Sequence, residues 1–305
     1  MTRHLLSLSD LGRDGLLAML DSADHFKSVR GTDKHAKPLT GKSIALVFEK
    51  ASTRTRLSLE VAVAELGGNP IALTSSAIQL GRGEPISDTS RVLSRMVHGV
   101  TFRTFGHDRL ESMAEHSSVP VLNALSDSGH PMQLLADLQT VCGVRKQLDG
   151  LQFVWVGDGN NMANSWIEAA GLLQLDLRLA CPEGYDPDPK QVSLAKERGG
   201  KISILRDPKE ACREADVIST DVFASMGQEE EAAQRLAAFA GTQVNQVLVD
   251  VASPEVMVLH CLPAHRGEEI SAEVIDGPRS FVWDQAEARL HTAKAALAWA
   301  LEDDG

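Results

Sequence analysis

Ile44-Ala45-Leu46-Val47-Phe48-Glu49-Lys50-Ala51-Ser52-Thr53-Arg54-Thr55-Arg56 passes from a continuous apolar block into a cluster of hydroxyls and cations. An unbroken apolar run of this length suits a short parallel strand buried on both faces. The hydroxyl-rich stretch after it predicts a helix cap. The helix it opens carries Leu57, Val61 and Ala64 on one face and Leu59, Val63 and Leu66 on another. Two arginines in a first helical turn are electrostatically wrong for an isolated helix, whose N-terminus prefers acids. The conflict disappears if the cap's N–H groups and hydroxyls, with the arginines, hold a phosphate-like anion. An ordinary Ser/Thr cap with a salt-bridged arginine is the plainer reading. The concentration of hydroxyls and arginines at Ser52, Thr53, Arg54, Thr55 and Arg56 favours the anion site.

The alternation extends in both directions. Strand candidates at 70–73, 97–102, 119–122, 151–156, 177–181, 202–205, 215–219, 247–251 and 256–260 are separated by helical stretches. This predicts an α/β fold of two doubly wound domains with mainly parallel sheets. A chain of 305 residues is long enough for both. Upstream, a helix is expected over 9–29, capped at Ser9 or Asp10, with Leu16, Leu20, Ala23 and Phe26 at helical spacing. A helical stretch from Pro131 to Val144 leads into a new strand, which places the first domain at 1–135 and the second at 136–285. The final helix, within 286–305 and carrying Ala288, His291, Ala295 and Leu297, is expected to pack back on the first domain.

Composition narrows the function classes. Charged residues make up 24% and hydrophobic ones 43%, as in ordinary globular proteins. The formal net charge of -12 argues against a nucleic-acid partner, because a phosphate backbone requires a basic face. Any anionic ligand therefore needs a local cationic cluster, and Lys50, Arg54 and Arg56 offer one. Cys142, Cys181, Cys212 and Cys261 show neither zinc-ligand nor disulfide-framework spacing, so no metal is expected. The N-terminus lacks a signal-peptide pattern and no apolar run is long enough for a membrane helix, so the expected location is the cytoplasm.

Phe48-Glu49-Lys50-Ala51-Ser52-Thr53-Arg54-Thr55-Arg56 resembles the carbamoyl-phosphate signature of the transcarbamylases, and of their ornithine branch in particular. The resemblance covers practically the whole chain. Gln79-Leu80-Gly81-Arg82-Gly83-Glu84-Pro85 is similar to a loop that enters a neighbouring subunit's active site, which implies a homotrimer with shared sites. Arg103 follows the apolar run ending at Phe102, where a strand would deliver it to the mouth of the sheet, the usual address for ligands. His130-Pro131-Met132-Gln133 resembles the family's His-Pro-x-Gln, which implies that His130 and Gln133 hold the carbamoyl group. Arg289 matches a further carbamoyl-phosphate ligand. In the second domain the resemblance assigns Asn161 to the amino-acid substrate's carboxylate end, and Asp221, Ser225 and Met226 to ornithine. His260-Cys261-Leu262-Pro263 is similar to the family's His-Cys-Leu-Pro, which places Cys261 near the reacting amine and the backbone of Cys261 and Leu262 at the carbamoyl group.

These matches imply carbamoyl transfer to ornithine in a cleft between domains, with no cofactor and with Arg103, His130, Asp221 and Cys261 as the chemical residues. Adjacent residues on a strand face opposite ways, so a His260–Cys261 nucleophile pair is not expected. Three other readings stay open: a sister enzyme using putrescine or N-acetylornithine, a non-catalytic sensor of the same fold, and a nicotinamide enzyme. The last is disfavoured because Val156-Gly157-Asp158-Gly159-Asn160-Asn161-Met162 has methionine where the dinucleotide fingerprint needs its third glycine.

Overall fold

The computed structural model describes residues 2–74, 83–224 and 231–302. The chain forms two compact units, Met1–Gln139 with Glu287–Gly305 and Thr140–Ala286. Gln79, Ser225 and Met226 lie outside the described residues.

In unit 1 a 3-10 turn, Leu8–Asp10, precedes α1 (Gly12–Ser28). The expected cap at Ser9 or Asp10 is therefore displaced. The Asp10 carboxylate instead reaches back to accept the Leu6 and Ser7 N–H groups at 2.7 and 2.9 Å. There follow β1 (Ser43–Phe48), α2 (Arg54–Glu65), β2 (Asn69–Thr74), α3 (Ile86–Leu93), β3 (Gly99–Arg103), α4 (His107–Glu115), β4 (Val121–Leu125) and α5 (Pro131–Arg145). The strands pair in parallel in the order β2-β1-β3-β4. Ile44–Phe48 and all of β3 are buried, as continuous apolar strands covered on both faces should be. Ala45, Val47, Phe102, Leu110, Met113 and Val121 join in one core cluster. On α2, Leu59 and Val63 are buried and Leu66 follows them into the core, whereas Leu57 is 60% exposed.

Unit 2 contains β5 (Gln152–Val156), α6 (Asn161–Leu173), β6 (Asp176–Ala180), α7 (Pro189–Glu197), β7 (Lys201–Leu205), α8 (Pro208–Cys212), β8 (Val217–Thr220), α9 (Ala232–Ala238), α10 (Gln246–Val251), β9 (Met257–His260) and α11 (Ala272–Ile275). The last helix, α12 (Val282–Ala300), begins here, and from Glu287 onward it belongs to unit 1. The parallel order is β7-β6-β5-β8-β9, over a core that includes Val154, Val156, Ile218, Leu248, Val258 and Val274.

The segment 247–251, expected as a strand, is the helix α10. β8 and β9 already pair directly from Val217↔Met257 to Thr220↔His260. The chain between two adjacent parallel strands must cross over outside the sheet, and a helix is the usual way to do so. Asn245 supplies the start, its side chain accepting the Val247 N–H at 3.1 Å. Val247 is 54% exposed while Leu248 is buried, as a one-sided helix requires.

Each strand order contains one reversal. The connection from β1 runs to one side and that from β3 to the other; β5 and β8 stand in the same relation in unit 2. Crevices at the carboxyl ends of such strand pairs are where open α/β sheets bind ligands. The stretches they deliver are Glu49–Thr53 with Thr104–Gly106, and Gly157–Asn160 with Asp221 onward.

Candidate active site

In unit 1, α2 starts at Arg54 directly after β1, and its hydrogen-bond ladder begins with the Leu57 N–H donating to the Thr53 carbonyl at 2.9 Å. The N–H groups ahead of Leu57 have no intrahelical acceptor and open onto the carboxyl edge of the sheet. Thr53 makes no side-chain cap bond, so its hydroxyl is not spent on the helix. The neighbouring cations differ in commitment. Lys50 donates to Asp127 at 2.7 Å and lies 4.4 Å from the centre of the Phe105 ring, and Arg56 pairs with Glu60 one turn along at 2.8 Å. Arg54 makes no ion pair among the described residues.

Behind the cap, Arg289 ties together residues distant in sequence. It donates to the Thr55 hydroxyl at 2.7 Å and to Gln133 Oε1 at 2.5 Å, and Gln133 Nε2 donates to Asp137 at 2.8 Å. Because Arg289 fills an acceptor position on Thr55, the hydroxyl keeps its own proton to give elsewhere; Gln133 Oε1 likewise keeps a second lone pair. Arg103, His130 and Arg289 are all buried. Burial, then the charges of Arg289 and Arg103, hold the His130 pKa well below the usual histidine range, so its ring is a neutral donor or acceptor at pH 7. Guanidinium groups gathered in a buried site beside a helix N-terminus suit a bound oxyanion.

Glu49, at the end of β1, looks at first like a competitor for these cations. Its carboxylate instead takes Arg109 at 2.5 and 3.0 Å and the Thr104 hydroxyl, while its N–H donates to the Arg103 carbonyl at 2.9 Å. The residue therefore stitches the β1 and β3 loops together. Its sequence signal was its place in the motif; the partners could not be read from spacing.

In unit 2, Asp221 stands just past β8. Its Oδ1 accepts the Val222 N–H at 2.8 Å and the Cys261 thiol at 3.0 Å, and its Oδ2 accepts Asn160 Nδ2 at 3.3 Å. Sequence reasoning passed over Asn160. Its Oδ1 caps α6 by accepting the Met162 and Ala163 N–H groups at 2.9 and 3.2 Å, so one side chain fixes the helix and braces Asp221. The N-cap preference for asparagine was the available signal. Asn161, next along, is half-buried at the first helical position.

His260 and Cys261 diverge as strand geometry requires. His260 Nδ1 accepts the Leu262 N–H at 2.9 Å, so Nε2 carries the ring proton toward buried Glu269 at 2.9 Å. That bond holds Leu262 at φ 58°, a left-handed conformation that a leucine adopts only under constraint, and so sets the direction of the backbone after Cys261. Asp221, His260 and Cys261 place donor atoms within 4.8 Å of one another. Both His260 nitrogens are engaged within the protein, so His260 supports the backbone beside Asp221 and Cys261.

Comparison with known proteins bears on these two sites. Residues 3–142 match the family model described as "Aspartate/ornithine carbamoyltransferase, carbamoyl-P binding domain", and residues 149–300 match its "Asp/Orn binding domain". An ornithine carbamoyltransferase of Geobacter metallireducens is 53% identical, covering 98% of this chain and 99% of that protein. A Pseudomonas aeruginosa relative named "Ornithine carbamoyltransferase, anabolic" is 51% identical over 98% of this chain and 97% of its own length. The solved structure of ornithine carbamoyltransferase from Pyrococcus furiosus superposes with a TM-score of 0.92 at 47% identity, covering 97% of this chain and 96% of that one.

Proposed function

The chain belongs to the aspartate/ornithine carbamoyltransferase family, and we propose that it transfers the carbamoyl group of carbamoyl phosphate to the side-chain amine of L-ornithine, giving L-citrulline and phosphate. The observation that carries this reading is the pairing of two unlike sites, each at a strand-order reversal. One gathers guanidinium groups around a helix cap; the other presents a carboxylate and a thiol.

Carbamoyl phosphate is a mixed anhydride, so its carbonyl carbon is already activated and phosphate leaves readily. The protein has to orient, polarise and neutralise. In this scheme Ser52, Thr53, Arg54 and the free N–H groups of the cap take the phosphate, joined by Gln79. Arg289 acts through its bonds to Thr55 and Gln133 and as a further ligand. The Thr55 proton, Arg103 and neutral His130 donate to the carbonyl oxygen, whose negative charge grows in the tetrahedral intermediate. Gln133 Oε1 and the backbone at Cys261 and Leu262 accept from the carbamoyl NH2.

The ornithine side-chain amine has a pKa of about 10 by analogy with lysine and must lose a proton before it attacks. Asp221 and Cys261, joined at 3.0 Å, orient the amine and relay its first proton away to solvent, with Asn161, Ser225 and Met226 holding the rest of the amino acid. The second proton passes to the departing phosphate. The reading includes a homotrimer with shared sites in the cytoplasm, working in the arginine-building direction; a relative named anabolic supports the last point.

Supplying carbamoyl phosphate with ornithine, putrescine or N-acetylornithine in parallel tests the function. Citrulline should form at least about a hundredfold faster than either competing product, since a site built for a polar group rejects analogues that leave it unpaired. A faster reaction with another amine would assign the enzyme to a sister activity.

A further inference from the structure

Asp158 leaves β5 at the same strand reversal as Asp221, yet the scheme above gives it no task. Its Oδ2 accepts Arg235 Nη1 at 2.7 Å, with the Arg235 side chain 9% exposed and that of Asp158 13%. Arg235, on α9, also donates to the Phe223 carbonyl at 3.1 Å and to Glu231 at 3.2 Å, and its guanidinium lies 5.1 Å from the centre of the Tyr185 ring. Tyr185 and Phe223 both pack on Phe239, at 4.8 and 4.7 Å between ring centres. Aromatic rings around a charge displace water and lengthen the reach of its field. A buried ion pair is by itself weak evidence for stability. Here the pair's Asp158 also stands two residues ahead of Asn160, whose side chain donates to Asp221 at 3.3 Å.

The groups facing the pair, among the described residues, come from every neighbouring element. Asp221 follows β8, Glu231 precedes α9, and Tyr185 lies beyond β6. Cys181 directly follows β6, its thiol pushed up to about 12 by burial, with Asp158 adding to the effect. The Asp186–Arg206 pair, 2.7 Å, stands past Cys181. Burial raises the Asp158 pKa, Arg235 lowers it, and the charge of Asp221 raises it again.

We propose that Arg235 neutralises Asp158 so that Asp221 presents the amine subsite's negative charge, making the Asp158–Arg235 pair a positioning element that sets the proton affinity of the substrate amine. The inference rests on the ornithine reading above. A second unneutralised carboxylate would hold the ammonium proton more tightly and delay formation of the nucleophile; a surplus guanidinium would do the reverse.

The test is kcat against pH at saturating carbamoyl phosphate and ornithine for wild type, Arg235→Gln, Asp158→Asn and the double variant, with thermal midpoints recorded. The acidic limb should move up by about one pH unit in Arg235→Gln, down by about as much in Asp158→Asn, and back to within ~0.3 unit of wild type in the double variant. The carbamoyl-phosphate KM should stay within about twofold throughout, because the charges changed lie at the amine subsite. Limbs that move the same way in both single variants, or a double variant displaced as far as the worse single, would overturn the proposal. Arg235→Lys keeps the charge without the planar fork and guards against misfolding. It should keep the wild-type limb, and an alkaline shift in it would also overturn the proposal. Wild-type enzyme that fails to carbamoylate ornithine removes the reading on which the inference stands; unmoved limbs in an active enzyme remove the inference alone.

Discussion

Three cations follow β1 within seven residues, and their partners separate their roles. Lys50 is held by Asp127 and Phe105, and Arg56 by Glu60. Arg54 is the one among them without an ion pair among the described residues. Charge-assisted hydrogen bonds are worth roughly 1.5–3 kcal/mol, so Arg54→Ala should raise the carbamoyl-phosphate KM by about 10- to 100-fold. Arg56→Ala gives up an exposed i,i+4 pair and should stay within about twofold of wild type. Steady-state kinetics with carbamoyl phosphate varied checks both. Asn160→Ala removes a cap worth about 1 kcal/mol and the brace on Asp221 together. It should lower the thermal midpoint by a few degrees and raise the ornithine KM, leaving the carbamoyl-phosphate KM unchanged. The motif residues Ser52–Arg56 were legible in the sequence because the hydroxyls, cations and preceding strand are contiguous. Asn160 and Arg235 were not, since their partners Asp221 and Asp158 lie 61 and 77 residues away.

At the scale of elements, apolar alternation located most of the strands, because a buried parallel strand announces itself as a continuous apolar run. It failed at 247–251, where the same composition forms α10. Apolar content alone does not separate a strand from a helix this short; the pairing of β8 with β9 does, and pairing is a tertiary fact. Leu248 is the buried anchor of α10, and Leu248→Ala should cost about 2–5 kcal/mol, read from denaturant unfolding. The β5–α6 turn is constrained differently. A Cβ on Gly159 would lie 2.2 Å from the Pro187 nitrogen and 2.3 Å from the Asp186 carbonyl carbon. These are backbone atoms with little room to yield, so Gly159→Ala should displace the turn carrying Asp158 and Asn160. Ornithine turnover should fall far more than carbamoyl-phosphate affinity.

At the scale of the molecule, each unit places its chemistry at the reversal of its own strand order, one assembling cations and the other a carboxylate. Burial in unit 1 also gives the protein a pH dependence. His4, His130 and His291 all have pKa values lowered first by burial. A histidine whose folded pKa is depressed binds fewer protons folded than unfolded, so stability is complete above the unfolded value near 6.5 and declines as pH falls below it. For the fully enclosed His130 the loss is up to about 1.4 kcal/mol per pH unit until its folded pKa is reached. Thermal midpoints should therefore drop between pH 7 and 5, and less steeply in His130→Gln.

The division of labour between the two sites is tested most directly by equilibrium titration of carbamoyl phosphate, without amine, into wild type, Arg54→Ala and Asp221→Asn, followed by turnover with ornithine. Asp221→Asn should bind carbamoyl phosphate within about twofold of wild type while losing about a thousandfold or more in kcat, as expected when a group needed chiefly in the transition state is removed. Arg54→Ala should lose the affinity itself. Undiminished carbamoyl-phosphate binding by Arg54→Ala, or a loss in Asp221→Asn equal to that in Arg54→Ala, would contradict the assignment of the two sites to two substrates.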